Sequence, residues 1–127
     1  MVPFLVVFAG AGIGGALRHG INVAVVRWLG LNLPIATLFI NATGSFAMAI
    51  VVGYFALWSA SPQQHLRLFI TTGILGGYTT FSTFSLDAAS LWEQGQPRAA
   101  VLYVTLSVAM SLAAMFLGLW IMRSIWR

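Results

Sequence analysis

The sequence contains no cysteine, and only two of its 127 residues are acidic and two are histidine. Without thiols there is no disulfide, no thiolate metal site and no thiol nucleophile. Two carboxylates and two imidazoles leave a hydrolytic or metal-dependent active site almost nothing to work with, so enzyme is the weakest functional class. Charge is scarce throughout, at 6% of residues against 60% hydrophobic. A soluble domain carries about 25% charged residues. Such a chain cannot cover a surface facing water.

What is present in quantity is long apolar sequence. No charge falls between Arg27 and Arg67, between Arg67 and Asp87, or from Ala99 to Met122. About 20 mostly apolar residues cross a bilayer core, and these runs reach that length. The pattern predicts an all-α, multi-pass membrane protein of one domain, 1–127, with helices at 3–26, 33–58, 67–91 and 98–123. The connectors "RWLGLNLP" (27–34), "SASPQQH" (59–65) and "WEQGQPR" (92–98) are rich in polar residues, Gly or Pro. Barrel strands are excluded because they are short and alternate apolar with polar residues. The N-terminus lacks a charged n-region, so a cleaved signal peptide is not expected. The net charge of +4 comes from arginines near helix ends, where they anchor to lipid headgroups; no nucleic-acid partner is implied.

Four helices put both termini and the 59–66 loop on one side. Arg67, Arg123 and Arg127 then face Arg18, Arg27 and Arg98 across the membrane. The Lys/Arg bias that normally fixes orientation is missing. Either other factors orient the chain, or it inserts both ways and pairs with an inverted copy of itself. An oligomer is expected on separate grounds. Asn41, Tyr103 and several hydroxyl residues lie at membrane depth, where polar groups must face protein or a wet cavity.

On the fourth helix Tyr103, Ser107 and Ser111 recur every four residues, which aligns them along one face for roughly 12 Å. Thr37, Asn41 and Ser45 form a similar line on the second helix, with Gly44 beside them. Each stripe alone reads as helix–helix glue, but together with the third helix they suggest a polar track. Gly10-xxx-Gly14 and Gly73-xxx-Gly77 have the spacing of close helix packing. Arg18 lies nine residues before Arg27. It faces a wet cavity if the first helix is continuous, and meets headgroups if the helix ends near His19-Gly20.

The third helix carries "GGYTTFSTFS" (76–85), whose Gly and β-branched residues weaken a continuous helix. A break at membrane depth is tolerated where it is buried or lines a cavity, and its freed backbone groups become available to ions. Phe81 and Phe84, three residues apart, share a face. Their positive ring edges are suited to an anion, although paired phenylalanines also serve plain packing.

This stretch resembles the third-helix signature of the Fluc (CrcB) fluoride channels. "TLFINATGSF" (37–46) is similar to that family's second-helix motif with its pore asparagine. "GGALR" (14–18) is similar to its first-helix motif, with Gly15 where Ala is usual. The resemblance spans the chain. It implies a passive fluoride channel in the bacterial inner membrane, built as an antiparallel, dual-topology homodimer with two pores and one central structural sodium ion. By the same resemblance Phe81 and Phe84 contact fluoride through their ring edges, and Asn41 lines the pore and donates hydrogen bonds. Ser107, Ser111 and Thr83 extend the track, Tyr103 lies near a pore end, and Arg18 lies at a vestibule. The backbone carbonyls of Gly76 and Thr79 hold the sodium. One departure is Asp87, where the family often has Glu. The implied physiology is fluoride removal: hydrogen fluoride leaks in neutral, ionises in the cytoplasm and needs an exit.

Two other readings compete. A small dual-topology multidrug transporter needs a titrating carboxylate inside the membrane, and the first acid here is Asp87, near the end of the third helix. A non-transporting membrane scaffold would use the stripes for packing alone, which leaves the hydroxyl-rich break unexplained.

Overall fold

The computed structural model describes residues 1–30, 33–58 and 63–125. Every regular element among them is helical. Helix α1 (Val2–Leu29) begins with a proline in its first turn, where the missing N–H costs nothing, and ends at Gly30, whose φ of 61° closes a left-handed cap. It runs straight through His19-Gly20, so Arg18 is an interior helical residue, half-buried and roughly 16 Å from the helix end by axial rise. The early-end alternative for that arginine does not hold. Helix α2 spans Leu33–Trp58. Part of the connector expected at 59–65 lies outside the described residues.

The third span is broken. It consists of α3 (Gln64–Leu68), a π-helical stretch (Phe69–Leu75) and one last turn, α4 (Gly76–Tyr78). The extended pair Thr79 (φ −76°, ψ 157°) and Thr80 (φ −152°, ψ 117°) follows, and then α5 (Phe81–Glu93). The chain breaks just after the glycine pair, not at it. Thr79 is the C-cap of α4, and Thr80 N-caps α5, its hydroxyl accepting from the Thr83 amide at 3.2 Å, so adjacent residues end one helix and start the next. A turn with Gly95 at φ 75° leads to α6 (Pro97–Ile125), which opens on proline.

Gly73 of the π stretch and Gly77 of α4 serve close approach. A methyl placed on Gly10 would lie 2.8 Å from the Gly73 Cα, and one on Gly77 would lie 2.5 Å from the Ala11 carbonyl oxygen. The two small-residue motifs read in the sequence therefore pack against each other, backbone to backbone. On the other side of the protomer α2 pairs with α6. Ala36, Ile40 and Ala49 of α2 are fully buried, and a methyl on Gly118 would meet the Ala49 Cβ at 2.7 Å.

Three helices, Val2–Leu29, Pro34–Leu57 and Pro97–Ile125, are long and apolar enough to cross a membrane. The core of the protomer is thin, and side chains such as Phe4, Phe8, Phe81 and Trp120 point outward. In water this apolar surface would be untenable; in a bilayer it is the surface that lipid or another subunit covers.

Candidate ion pathway

The two hydroxyl stripes face each other. Between α2, the break and α6 lies a cleft of about 300 Å³ lined by Asn41, Ser45, Thr80, Phe81 and Ser111, with Met48 and Met115 one turn beyond. Further along, Ala49 against Gly118 closes the two helices onto each other. The polar groove therefore has an apolar stop at that end.

Asn41 builds the break. Its Nδ2 donates to the Thr80 carbonyl at 3.0 Å, and its Oδ1 accepts from the Thr80 amide at 2.8 Å. The Thr80 carbonyl, at the N-cap of α5, already accepts the first bond of that helix, but its amide would otherwise be unpaired at membrane depth, at considerable cost. The asparagine side chain replaces the missing partner of that amide and keeps one Nδ2–H for another acceptor. Close by, Thr43 donates to the Phe39 carbonyl at 2.8 Å and bonds the Tyr78 hydroxyl at 2.9 Å. With the Thr43 proton so engaged, Tyr78 is the donor, and α4 is pinned to α2 beside Gly44.

The break takes the regular helical partners from the carbonyls of residues 76–79, and in two cases a side chain has taken the amide concerned. The Thr80 amide, which a continuous helix would send to Gly76, goes to Asn41. The Thr83 amide, which would go to Thr79, goes to the Thr80 hydroxyl. The carbonyls of Gly76 and Thr79 are thus hard oxygen donors released by side-chain competition, a donor set that fits an alkali cation.

Toward the N-terminus of α6 the track turns inward. Phe81 is 77% exposed at the cleft, whereas Phe84 is buried. Their centroids are 5.3 Å apart, and the Phe84 ring in turn lies 5.6 Å from that of Tyr103. Beyond the rings, Thr37 and Tyr103 donate to the same oxygen of Asp87, Oδ2, at 2.7 and 3.2 Å. Thr37, Tyr103 and Ser107 are all buried, and the Ser107 hydroxyl has no hydrogen-bond partner. A buried hydroxyl without a partner is costly and calls for an explanation.

The structure thus brings Asn41, Phe81 and Ser111 to one cleft and joins Phe84, Tyr103 and Ser107 to it through packed rings and the α6 face. Thr83 reaches it through Thr80, which donates to its hydroxyl at 3.1 Å. Arg18 does not join; it sits on α1 and is not among the residues lining the cleft. Reading the sequence missed the roles of Thr80 and of the Thr37–Asp87 pair. Thr37 already stood in the α2 stripe, and Asp87 is the only acid within the predicted spans, which was the available signal.

Helices that span a membrane, a broken helix clasped by an asparagine and a hydroxyl-lined cleft define an ion-conducting membrane protein as a class. Comparison with known proteins narrows this. Residues 5–119 match the family described as CrcB-like protein, Camphor Resistance (CrcB). A protein of Rhodopseudomonas palustris (strain BisB5) called "Fluoride-specific ion channel FluC" is 52% identical over 124 residues, covering 98% of this chain and 99% of its own. Proteins with the same name from Methylobacterium sp. (strain 4-46) and Granulibacter bethesdensis are 54% and 49% identical, over 97% and 100% of this chain and 98% and 99% of theirs. The chain belongs to the CrcB/FluC family.

Proposed function

We propose that this protein is a passive, fluoride-selective ion channel of a bacterial membrane that lowers cytoplasmic fluoride by letting the ion leave. The observation that carries the reading is near-full-length identity of about one half to proteins named fluoride-specific ion channels. The chemistry of the cleft supports it. Fluoride is small and strongly hydrated, so a dry path must offer replacement ligands. The free Asn41 Nδ2–H, the Ser111 hydroxyl, the unpartnered Ser107 hydroxyl and the edges of Phe81 and Phe84 are weak, neutral donors in sequence. They can replace water without trapping the ion. Thr83 would extend this set and Tyr103 would stand at one end. Arg18, apart from the cleft, would draw anions toward a vestibule.

The working unit would be two copies of the chain in inverted orientation. Exposure of Phe81 at the cleft supports this, because a second copy would cover the ring and complete the wall. A two-fold arrangement repeats every site, giving two pores per dimer. The Gly76 and Thr79 carbonyls of both copies would meet a single sodium ion near the axis. When bound, sodium supplies charge compensation for four carbonyl dipoles; the protein's part is to free those oxygens through Asn41 and Thr80.

The test is efflux from liposomes reconstituted with the purified protein, loaded with potassium fluoride and made permeable to potassium. Fast fluoride release, with no chloride release from a matched preparation, is the expected result. No release above protein-free vesicles, from a folded protein in sodium, would return the hydroxyl residues to a packing role.

A further inference from the structure

We infer that Asp87 is a positioning residue that fixes the direction of the hydroxyl protons at one end of the track, so that fluoride is released there and not held. A hydroxyl has one proton to give, and an ionised carboxylate can only accept. Thr37 and Tyr103 both give theirs to Asp87 Oδ2, at 2.7 and 3.2 Å. Bonds to an ionised acceptor are roughly twice as strong as neutral ones, so those protons stay with the carboxylate. What Thr37 and Tyr103 then present to any other group is lone pairs. Ser107, one turn along α6 from Tyr103, is buried and has no partner, which leaves it the last free hydroxyl donor before the acid.

The far side of Asp87 explains why such an end would be useful. The residue also lines a separate cavity of about 690 Å³ between the end of α1, the start of α2, α5 and the turn after it. Ser90, Gln94 and Gln96 give that cavity a polar wall. Asp87 therefore stands between the dry track and a polar antechamber. An ion leaving Ser107 toward that antechamber meets acceptor atoms and a like charge, with no donor to hold it. Glu93 and Arg98 are exposed beyond this point.

The inference rests on the fluoride-channel reading, and flux through the unmodified protein tests that reading separately. The experiment for Asp87 measures maximal fluoride flux and half-saturating fluoride concentration in proteoliposomes. With Asp87 in place, Thr37→Val removes a proton that fluoride never uses, so the half-saturating concentration should stay within about twofold of the parent. In Asp87→Asn the amide donates to one of the two hydroxyls and turns its proton outward. A freed donor should lower the half-saturating concentration about tenfold, with slower maximal flux. Adding Tyr103→Phe and Thr37→Val to Asp87→Asn should reverse that tightening, and Asp87→Glu, still an acceptor, should behave like the parent. A merely structural Asp87 would lower flux with half-saturation unchanged in every variant, and that result overturns the inference. So does a tenfold weakening in Thr37→Val alone, a result that can be read even if Asp87→Asn fails to fold.

Discussion

Asn41 holds Thr80 by both ends of its amide, donating to the carbonyl at 3.0 Å and accepting from the N–H at 2.8 Å. One side chain thus replaces the helical partner that the Thr80 amide has lost and adds a second bond to its carbonyl. It also keeps the Thr80 amide from the Gly76 carbonyl. The break, the cleft and the proposed cation site therefore share a single support.

Asn41→Ala should accordingly do more than remove a pore donor. It leaves the buried Thr80 N–H unpaired, at a cost of about 1–3 kcal/mol. Thermal unfolding of the purified variant should begin well below that of the parent, with fluoride flux lost. Asn41→Asp keeps the acceptor and loses the donor, so it should be of intermediate stability and equally inactive.

Ser107→Ala separates function from stability. The hydroxyl has no partner to lose, and replacing an unsatisfied buried polar group is neutral or stabilising by about 1 kcal/mol. The melting temperature should hold or rise while fluoride flux falls at least about tenfold. A matching drop in both would mean that the hydroxyl is structural after all.

The glycines divide sharply. Gly77→Ala drives a methyl to 2.5 Å from the Ala11 carbonyl oxygen, a clash between two backbones that should cost about 1–3 kcal/mol or more. Gly15→Ala meets nothing within 4 Å and should stabilise α1 by up to about 1 kcal/mol. Denaturation in mild detergent, followed by near-neutral flux for Gly15→Ala, would check both.

These contrasts mark what the sequence carried and what it did not. The spans were legible because charge is absent from long runs, and the facing stripes because Thr37, Asn41 and Ser45, like Tyr103, Ser107 and Ser111, recur every four residues. The glycine spacings were legible as packing, though not that Gly10 would meet Gly73. The position of the break was harder. Glycine weakens a helix in isolation, yet Gly76 and Gly77 stay helical, with α1 packed against Gly77. The extended residues are Thr79 and Thr80, chosen by Asn41, a partner 39 positions away in sequence. Local propensity cannot report such a partner. The Asp87 cluster was hidden for the same reason, since Thr37 and Tyr103 arrive from two other helices.

Sodium gives a prediction that needs no substitution. If the Gly76 and Thr79 carbonyls of two copies hold an alkali cation, the folded dimer should melt higher in sodium chloride than in the chloride of a large organic cation. The gain should grow with sodium concentration by mass action. Equal melting in both salts would remove the cation from the account.

Reversal potential in a planar bilayer containing the purified protein tests the central claim most directly. Potassium fluoride would face potassium chloride at equal potassium concentration, and the fluoride concentration would then be varied on one side. The account predicts a current that reverses at the fluoride equilibrium potential and ignores chloride. A reversal set by potassium or chloride, or no current from a folded dimer in sodium, would contradict it.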